Sequence, residues 1–285
     1  MTAKTGGPVS QEPYNWLSLQ LLLDSALPIG SFAHSYGLET LVQENVVRDG
    51  AELRQYLEGM LLHSWATGDL MVVKAVYADE AYSGGGRDPA RAGAAAAQTG
   101  HAASVPGSVH SAHAGASAAL PGGSRPSADD VAYAASIERL VHVQRLGAET
   151  RDGVEKTGRR LMRLAPHLFP SLPVERLAAD VRAGRCLGTY PYVFGWLCRH
   201  LGIPLDRAAE GYLYACASTG VNAALRLMPM GQHEAQKLLA SLFPVISEAW
   251  ADVRDMDPAD AYGAMPQAEI GMIRHERLYS RLFMS

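Results

Sequence analysis

Asp49-Gly50-Ala51-Glu52-Leu53-Arg54-Gln55-Tyr56-Leu57-Glu58-Gly59-Met60-Leu61-Leu62-His63-Ser64-Trp65 is the stretch on which the fold class turns. Asp49 followed by Glu52 has the form of a helix N-cap with a reciprocal carboxylate three residues on. Leu53, Tyr56, Leu57, Met60, Leu61 and Trp65 then recur at steps of three and four, which places them on one face of a helix and on no face of a strand. The spacing predicts a long amphipathic helix running on to Tyr82. Working outward, Asp129 or Asp130 can cap a second helix with the apolar line Ile137, Leu140, Val141 and Leu146. A third is expected to start after Arg151 and to stop before Pro166, because proline pushes its predecessor out of the helical region. Pro173 opens another, with Val174, Leu177 and Val181 inward. Pro204 opens the most apolar one, Leu205 to Leu227, closed by Met228-Pro229 and restarted near Gln232. No alternating β-branched run is long enough for a sheet, so the expected fold is all-α: a single-domain helical bundle of roughly eight to ten helices with its most apolar helix at the centre.

One segment breaks this pattern. Of the 47 residues from Ser83 to Asp129, 34 are Ala, Gly, Ser or Pro and none is aromatic, so the segment cannot bury enough apolar surface to order itself. It reads as one long disordered loop between two helices, and its deletion is expected to leave folding intact. The domain organisation is therefore a flexible N-terminus at 1–13, an all-α domain at 14–271 carrying the insertion at 83–129, and a C-terminal tail at 272–285.

Charge and cysteine usage narrow the function classes. The chain holds 25 Lys and Arg against 29 Asp and Glu, a net charge of −4, which argues against a nucleic-acid partner because counterion release needs a clustered basic face. Cys186, Cys198 and Cys216 have no metal or disulfide spacing and fit a reducing, cytosolic setting. The first residues, MTAKTGGPVSQEPYNW, lack an apolar core for a signal peptide or anchor. The uncharged run Gly211 to Leu225 is 15 residues, short of the about 20 that a bilayer span requires, so no membrane role is expected.

Catalytic signatures are weak. Ala33-His34-Ser35-Tyr36-Gly37 is one residue from the nucleophile elbow of α/β hydrolases, but Pro28 and Gly30 break any strand that would lead into it. A serine hydrolase using Ser35 with His34 is the alternative reading. The chain has no phosphate-loop motif and no H-E-x-x-H. Cys198 and His200 stand two apart, too far around a helix to share an ion, so Cys198 belongs in the core. His101, His110 and His113 lie in the low-complexity segment, where ordering three imidazoles on one metal costs much entropy. No catalytic residue, metal ligand or cofactor is assigned.

Four stretches have instead the composition of structural corners and contact surfaces. Leu27-Pro28-Ile29-Gly30-Ser31-Phe32 is a shaped turn between helices. Thr189-Tyr190-Pro191-Tyr192-Val193-Phe194-Gly195 opens a helix with an aromatic cluster, in which Phe194 is read as core. Arg226 ends an apolar helix, where it can meet the terminal carbonyls. The last dozen residues carry Arg274, Arg277 and Arg281 against Glu276 and end in Leu282 and Phe283, a composition suited to an interface anchor.

These four stretches, in this order, resemble the urease accessory protein UreF family, from Ser25-Ala-Leu-Pro-Ile-Gly-Ser-Phe-Ala-His-Ser-Tyr-Gly-Leu-Glu39 through Arg226-Leu-Met-Pro-Met-Gly-Gln232 to Met272-Ile-Arg-His-Glu276 and Tyr279-Ser-Arg-Leu-Phe283. The resemblance implies an all-α, cytosolic, usually dimeric adaptor that is not an enzyme. It binds the accessory protein UreD (UreH) and the GTPase UreG, and with them hands nickel to urease apoprotein. It also implies partner-binding roles for Pro28, Gly30, Phe32, Ser35, Gly37, Glu39, Tyr190, Arg226, Gln232, Arg274, His275, Glu276, Tyr279, Arg281 and Phe283. Thr189 and Met284 stand where the family often has His and Arg, so a histidine relay for nickel at 189 is not available. A chain that itself carries nickel is a further alternative. The tail from Met272 is expected to be mobile in the isolated protein, with Leu282 and Phe283 entering pockets of the UreD-type partner.

Overall fold

In the computed structural model, which describes residues 12–78 and 133–284, no strand occurs among the described residues. The helices follow in order: α1 (Glu12–Leu23), α2 (Leu38–Gln43), α3 (Gly50–Met60), α4 (Leu70–Ala78), α5 (Tyr133–Gln144), α6 (Ala148–Leu168), α7 (Val174–Arg182), α8 (Tyr190–His200), α9 (Leu205–Leu227), α10 (Gln232–Ser241), α11 (Phe243–Val253) and α12 (Pro266–His275). A π-helical stretch, Leu61–Asp69, joins α3 to α4 in one rod, and α10 and α11 meet at Leu242. The all-α bundle is as expected from hydrophobic spacing.

Asp49 caps α3 as read, its carboxylate accepting the Ala51 and Glu52 amides at 2.9 Å. The inward line Leu53, Tyr56, Leu57, Met60, Leu61 and Trp65 is buried. Tyr82, the Asp129 and Asp130 caps, the histidines at 101, 110 and 113, the N-terminus to residue 11 and the 83–129 insertion lie outside the described residues. Helix α9, expected to be the most apolar, touches α1, α2, α3, α4, α8, α10 and α11, which puts it at the centre, although α4 and α11 are the more apolar helices.

Two boundaries differ from expectation. Helix α6 begins at Ala148 and passes through Pro166 to Leu168. Pro166 forfeits one N–H bond and crowds the Met162 carbonyl, and the buried packing of Leu161, Met162 and Ala165 outweighs that loss. Leu146, expected on the apolar line of α5, lies beyond its end at Gln144 and is exposed.

Helix ends are pinned by buried charges from other helices. Lys74 of α4 donates to the carbonyls of Val253, Arg254 and Met256 at 2.6, 2.8 and 2.5 Å, closing the C-terminus of α11. Its burial pulls the Lys74 pKa down. Glu138 of α5 does the converse at the start of α8, accepting the Leu187 and Thr189 amides and the Thr189 hydroxyl, each at 2.7 Å. Burial raises the Glu138 pKa, and those donors hold it back.

Helices α6 and α8 approach so closely that a Cβ on Gly158 would stand 2.2 Å from the Gly188 carbonyl oxygen. Gly158→Ala is therefore expected to lower stability by about 1–3 kcal/mol, the cost of overpacking. Gly231→Ala, where no atom beyond its chain neighbours lies within 4 Å of the added carbon, should leave stability nearly unchanged. Thermal unfolding of the two variants checks this, and equal midpoints would contradict it.

Candidate functional site: a buried clamp on the C-terminal tail

The corner at Leu27 to Glu39 turns the chain by backbone conformations that few side chains tolerate. Gly30 and Gly37 sit at φ +80° and +85°, and Tyr36 at 54°. At Gly37 the missing side chain has a second use. A Cβ there would stand 2.8 Å from the Ala268 carbonyl oxygen and 3.0 Å from the Met272 nitrogen, so only glycine lets α12 lie against the start of α2. Thr40 fastens the contact by donating its hydroxyl to the Gly271 carbonyl at 2.8 Å.

This close approach brings the end of α12 onto Glu39, whose side chain is 0% exposed. Glu39 meets His275 Nε2 at 2.9 Å, accepts the Leu282 amide at 2.7 Å and the Phe283 amide at 3.1 Å, and takes a longer bond from Gln43 at 3.4 Å. The other imidazole nitrogen, Nδ1, lies 2.8 Å from Glu149 Oε2, and Arg281 donates to Glu149 Oε1 at 2.6 Å. Carboxylates only accept, so both His275 ring nitrogens donate when the ring is an imidazolium. Two carboxylates then face one imidazolium and one guanidinium, a charge-balanced set in which Glu39 and His275 are buried and Glu149 and Arg281 are partly exposed.

Beyond α12 the tail doubles back over the clamp. Phe283 is buried with the Arg226 guanidinium 4.5 Å above its ring, and the Met284 amide donates to the Ala33 carbonyl at 2.7 Å. Gln43 holds the Ser280 carbonyl at 3.1 Å. In this structure Met272, His275 and Phe283 pack into this chain's own core, where Phe283 had been expected to enter a partner's pocket. Arg226 stacks on Phe283, where carbonyl capping of α9 had been expected.

The residues singled out in the sequence divide by exposure. Gly30, Ser35, Gly37, Glu39, Tyr190, His275 and Phe283 are buried, whereas Pro28, Phe32, Arg226, Gln232, Arg274, Glu276, Tyr279 and Arg281 are exposed. Tyr190 packs among Phe194 and Tyr212. Gln232 heads α10, and among the described residues no hydrogen bond joins it to the clamp. Glu149 was missed, because an acidic residue in the first turn of a helix has an ordinary reading as a dipole partner.

Beside the clamp, Ser31, His34, Tyr36, Thr150, Thr157 and Tyr190 line a cavity of about 20 Å³. Burial first, then the charges of Arg160 and Lys156, lower the His34 pKa to about 4. Ser35 is 1% exposed and its hydroxyl accepts the Glu39 amide at 3.4 Å, with no strand leading into it, so the elbow reading fails on geometry. The three cysteines are buried and free. Desolvation pushes the Cys186 thiol up to about 12 and the Cys198 thiol higher still, which suits core residues. Among the described residues no group of three or more His, Cys, Asp and Glu is placed to hold a metal ion, and no helix is long and apolar enough to cross a membrane.

Fold and site together define an all-α protein whose most elaborate polar centre fastens its own tail. A profile of the UreF family matches residues 47–243. The chain is 28% identical to the urease accessory protein UreF of Arthrobacter sp. (strain FB24) over 269 residues, covering 94% of this chain and 96% of that relative. It is equally similar to the protein of that name from Paenarthrobacter aurescens (strain TC1), and 26% identical over 273 residues to that of Bacillus sp. (strain TB-90). The chain belongs to the UreF family, a family of urease accessory proteins and not of catalysts.

Breaking a buried ion pair from one side costs about 3–5 kcal/mol. Glu39→Gln is therefore expected to release the tail, raising the rate of tryptic cleavage at Arg274, Arg277 and Arg281 at least about tenfold while helicity by circular dichroism is retained. Unchanged cleavage would contradict the clamp. His34 supplies a pH test. Between pH 6.5 and about 4 the unfolded chain binds a proton at His34 that the folded chain does not, so acidification through this window favours unfolding, by up to about 3 kcal/mol. His34→Gln should flatten that part of the stability profile measured by denaturant titration.

Proposed function

We propose that this chain is a cytosolic, non-enzymatic adaptor in urease maturation, which joins a UreD/UreH-type accessory protein and a UreG-type GTPase and so couples GTP turnover to nickel delivery into urease apoprotein. Family membership supports the accessory role. One observation carries the adaptor reading: the clamp that buries Phe283 turns neighbouring apolar side chains outward. Tyr279 is fully exposed, Leu282 is 59% exposed, and Phe32 is 60% exposed on the segment whose Ala33 carbonyl holds Met284. Large apolar side chains gathered in this way mark contact surfaces. Arg274, paired with Glu44 at 2.9 Å, and Arg277 add positive charge beside them.

In this reading the exposed set, Phe32, Tyr279 and Leu282 with Pro28, Arg226, Arg274, Glu276 and Arg281, meets the UreD/UreH-type partner. The buried set, Gly30, Ser35, Gly37, Glu39, Tyr190, His275 and Phe283, holds that surface in shape. A second copy of the chain is the other proposed partner. Exposed Trp16, Leu21 and Phe243 around an open groove between α1, α9 and α11 support pairing there.

Tyr279→Ala combined with Leu282→Asp should abolish co-elution with the UreD/UreH-type partner, because a charge buried in an apolar contact costs several kcal/mol. Circular dichroism and tail protection should stay unchanged. An undiminished complex would show that the tail surface is not the contact.

A further inference from the structure

The surface between α6 and α7 differs from the rest of this acidic chain. An open groove of about 970 Å³ runs between the two helices, with Met162, Val174 and Val181 among the apolar side chains of its floor. Along its rim stand Lys156, Arg159, Arg160, Arg163, His167 and Arg182. The neighbouring acids neutralise only part of this charge. Glu155 pairs with Arg159 at 2.6 Å and Asp152 with Lys156 at 3.5 Å. Glu175 also lines the groove. Among the described residues Arg160, Arg163 and Arg182 have no ion pair.

Lys156, Arg160, Arg163 and His167 follow one another at steps of four, three and four, a basic stripe along one face of α6. Like charges at these spacings destabilise an isolated helix, and among the described residues no ion pair offsets Arg160, Arg163 or Arg182. Such a stripe is stabilised by negative charge from outside. The stripe spans 12 residues, and its 11 steps cover about 16 Å of helix. That length is too spread out to converge on a single phosphate, and an apolar floor has no use for a phosphodiester backbone. It suits two to three turns of a helix laid in the groove, its apolar side down and its carboxylates against the rim.

We propose that the α6–α7 groove docks an acidic, amphipathic helical segment of a protein partner. The contact is separate from the tail surface and does not depend on it. Arg160 joins the groove to the clamp region, since its guanidinium covers Gly30, where a Cβ would stand 2.0 Å from it. Arg163 and Arg182 are exposed and free of such contacts, so they are the residues to change.

The test uses the full chain and a fluorescein-labelled 15-residue helical peptide with a leucine stripe flanked by glutamates, beside a copy carrying lysines for the glutamates. The glutamate peptide should bind, more weakly as salt rises, and should shift the methyl resonance of Met162, whereas the lysine peptide should not bind. Arg163→Glu with Arg182→Glu should weaken binding at least about tenfold, and Arg163→Lys with Arg182→Lys should hold it within about threefold. Binding that ignores the charge reversal, an unshifted Met162, or no binding by the glutamate peptide would overturn the proposal. Displacement of the peptide by millimolar inorganic phosphate would also overturn it, in favour of a phosphate site.

Discussion

A carboxylate with no exposed surface must be fully compensated, and in this protein the compensation of Glu39 shapes everything around it. Its partners come from three places in the chain: His275 at the end of α12, the amides of Leu282 and Phe283 in the returning tail, and Gln43 one turn on along α2. For His275 to arrive, α12 must lie on α2 at backbone distance, which is why Gly37 and Gly271 face each other with 3.0 Å between a Cβ added to Gly271 and the Gly37 carbonyl oxygen. For the amides to arrive, the chain must reverse after α12. Glu149 and Arg281 complete the charge balance from α6 and the tail. Corner, terminal helix and tail are thus one polar unit, and the outward pose of Tyr279 and Leu282 follows from it.

The same device recurs in smaller form through the bundle. Lys74 closes α11, Glu138 opens α8, and Asp69 at the end of the π-helical stretch holds both Arg145 and the Tyr212 hydroxyl, the latter at 2.9 Å. In each case a buried charge from one helix satisfies polar groups that another element would leave orphaned. Apolar packing brings the helices together, and these contacts set their ends and register.

The helices were legible in the sequence because burial on a helix leaves a period: Leu53 to Trp65 and Leu205 to Leu227 both show it, and Asp49 marks a start by its own chemistry. Pro166 misled because a local rule was applied where packing of Ala165 decides. The clamp was legible only in part. Glu39, Ser35 and His275 were singled out by resemblance, but nothing local tells whether a glutamate faces a partner or the core. Glu149 lies 110 positions from Glu39 and 126 from His275, a separation that no periodicity bridges. Phe283 was read as an anchor for another protein because a terminal Phe beside arginines has that composition; the residue that buries it, Arg226, sits on a different helix.

The family match at 47–243 stops short of both Glu39 and His275, while the similarity to full-length relatives spans 94% of the chain. The accessory role thus rests on the whole chain, and the clamp ties the segment at Glu39 to the C-terminal tail. The central claim is that Glu39 holds the tail in the isolated protein. Amide hydrogen exchange at Leu282 and Phe283 tests it most directly. Both amides should be strongly protected in the unliganded chain and lose protection in Glu39→Gln. Exchange at the rate of an unstructured peptide in the unsubstituted protein would contradict the account, because the tail would then be free until a partner orders it.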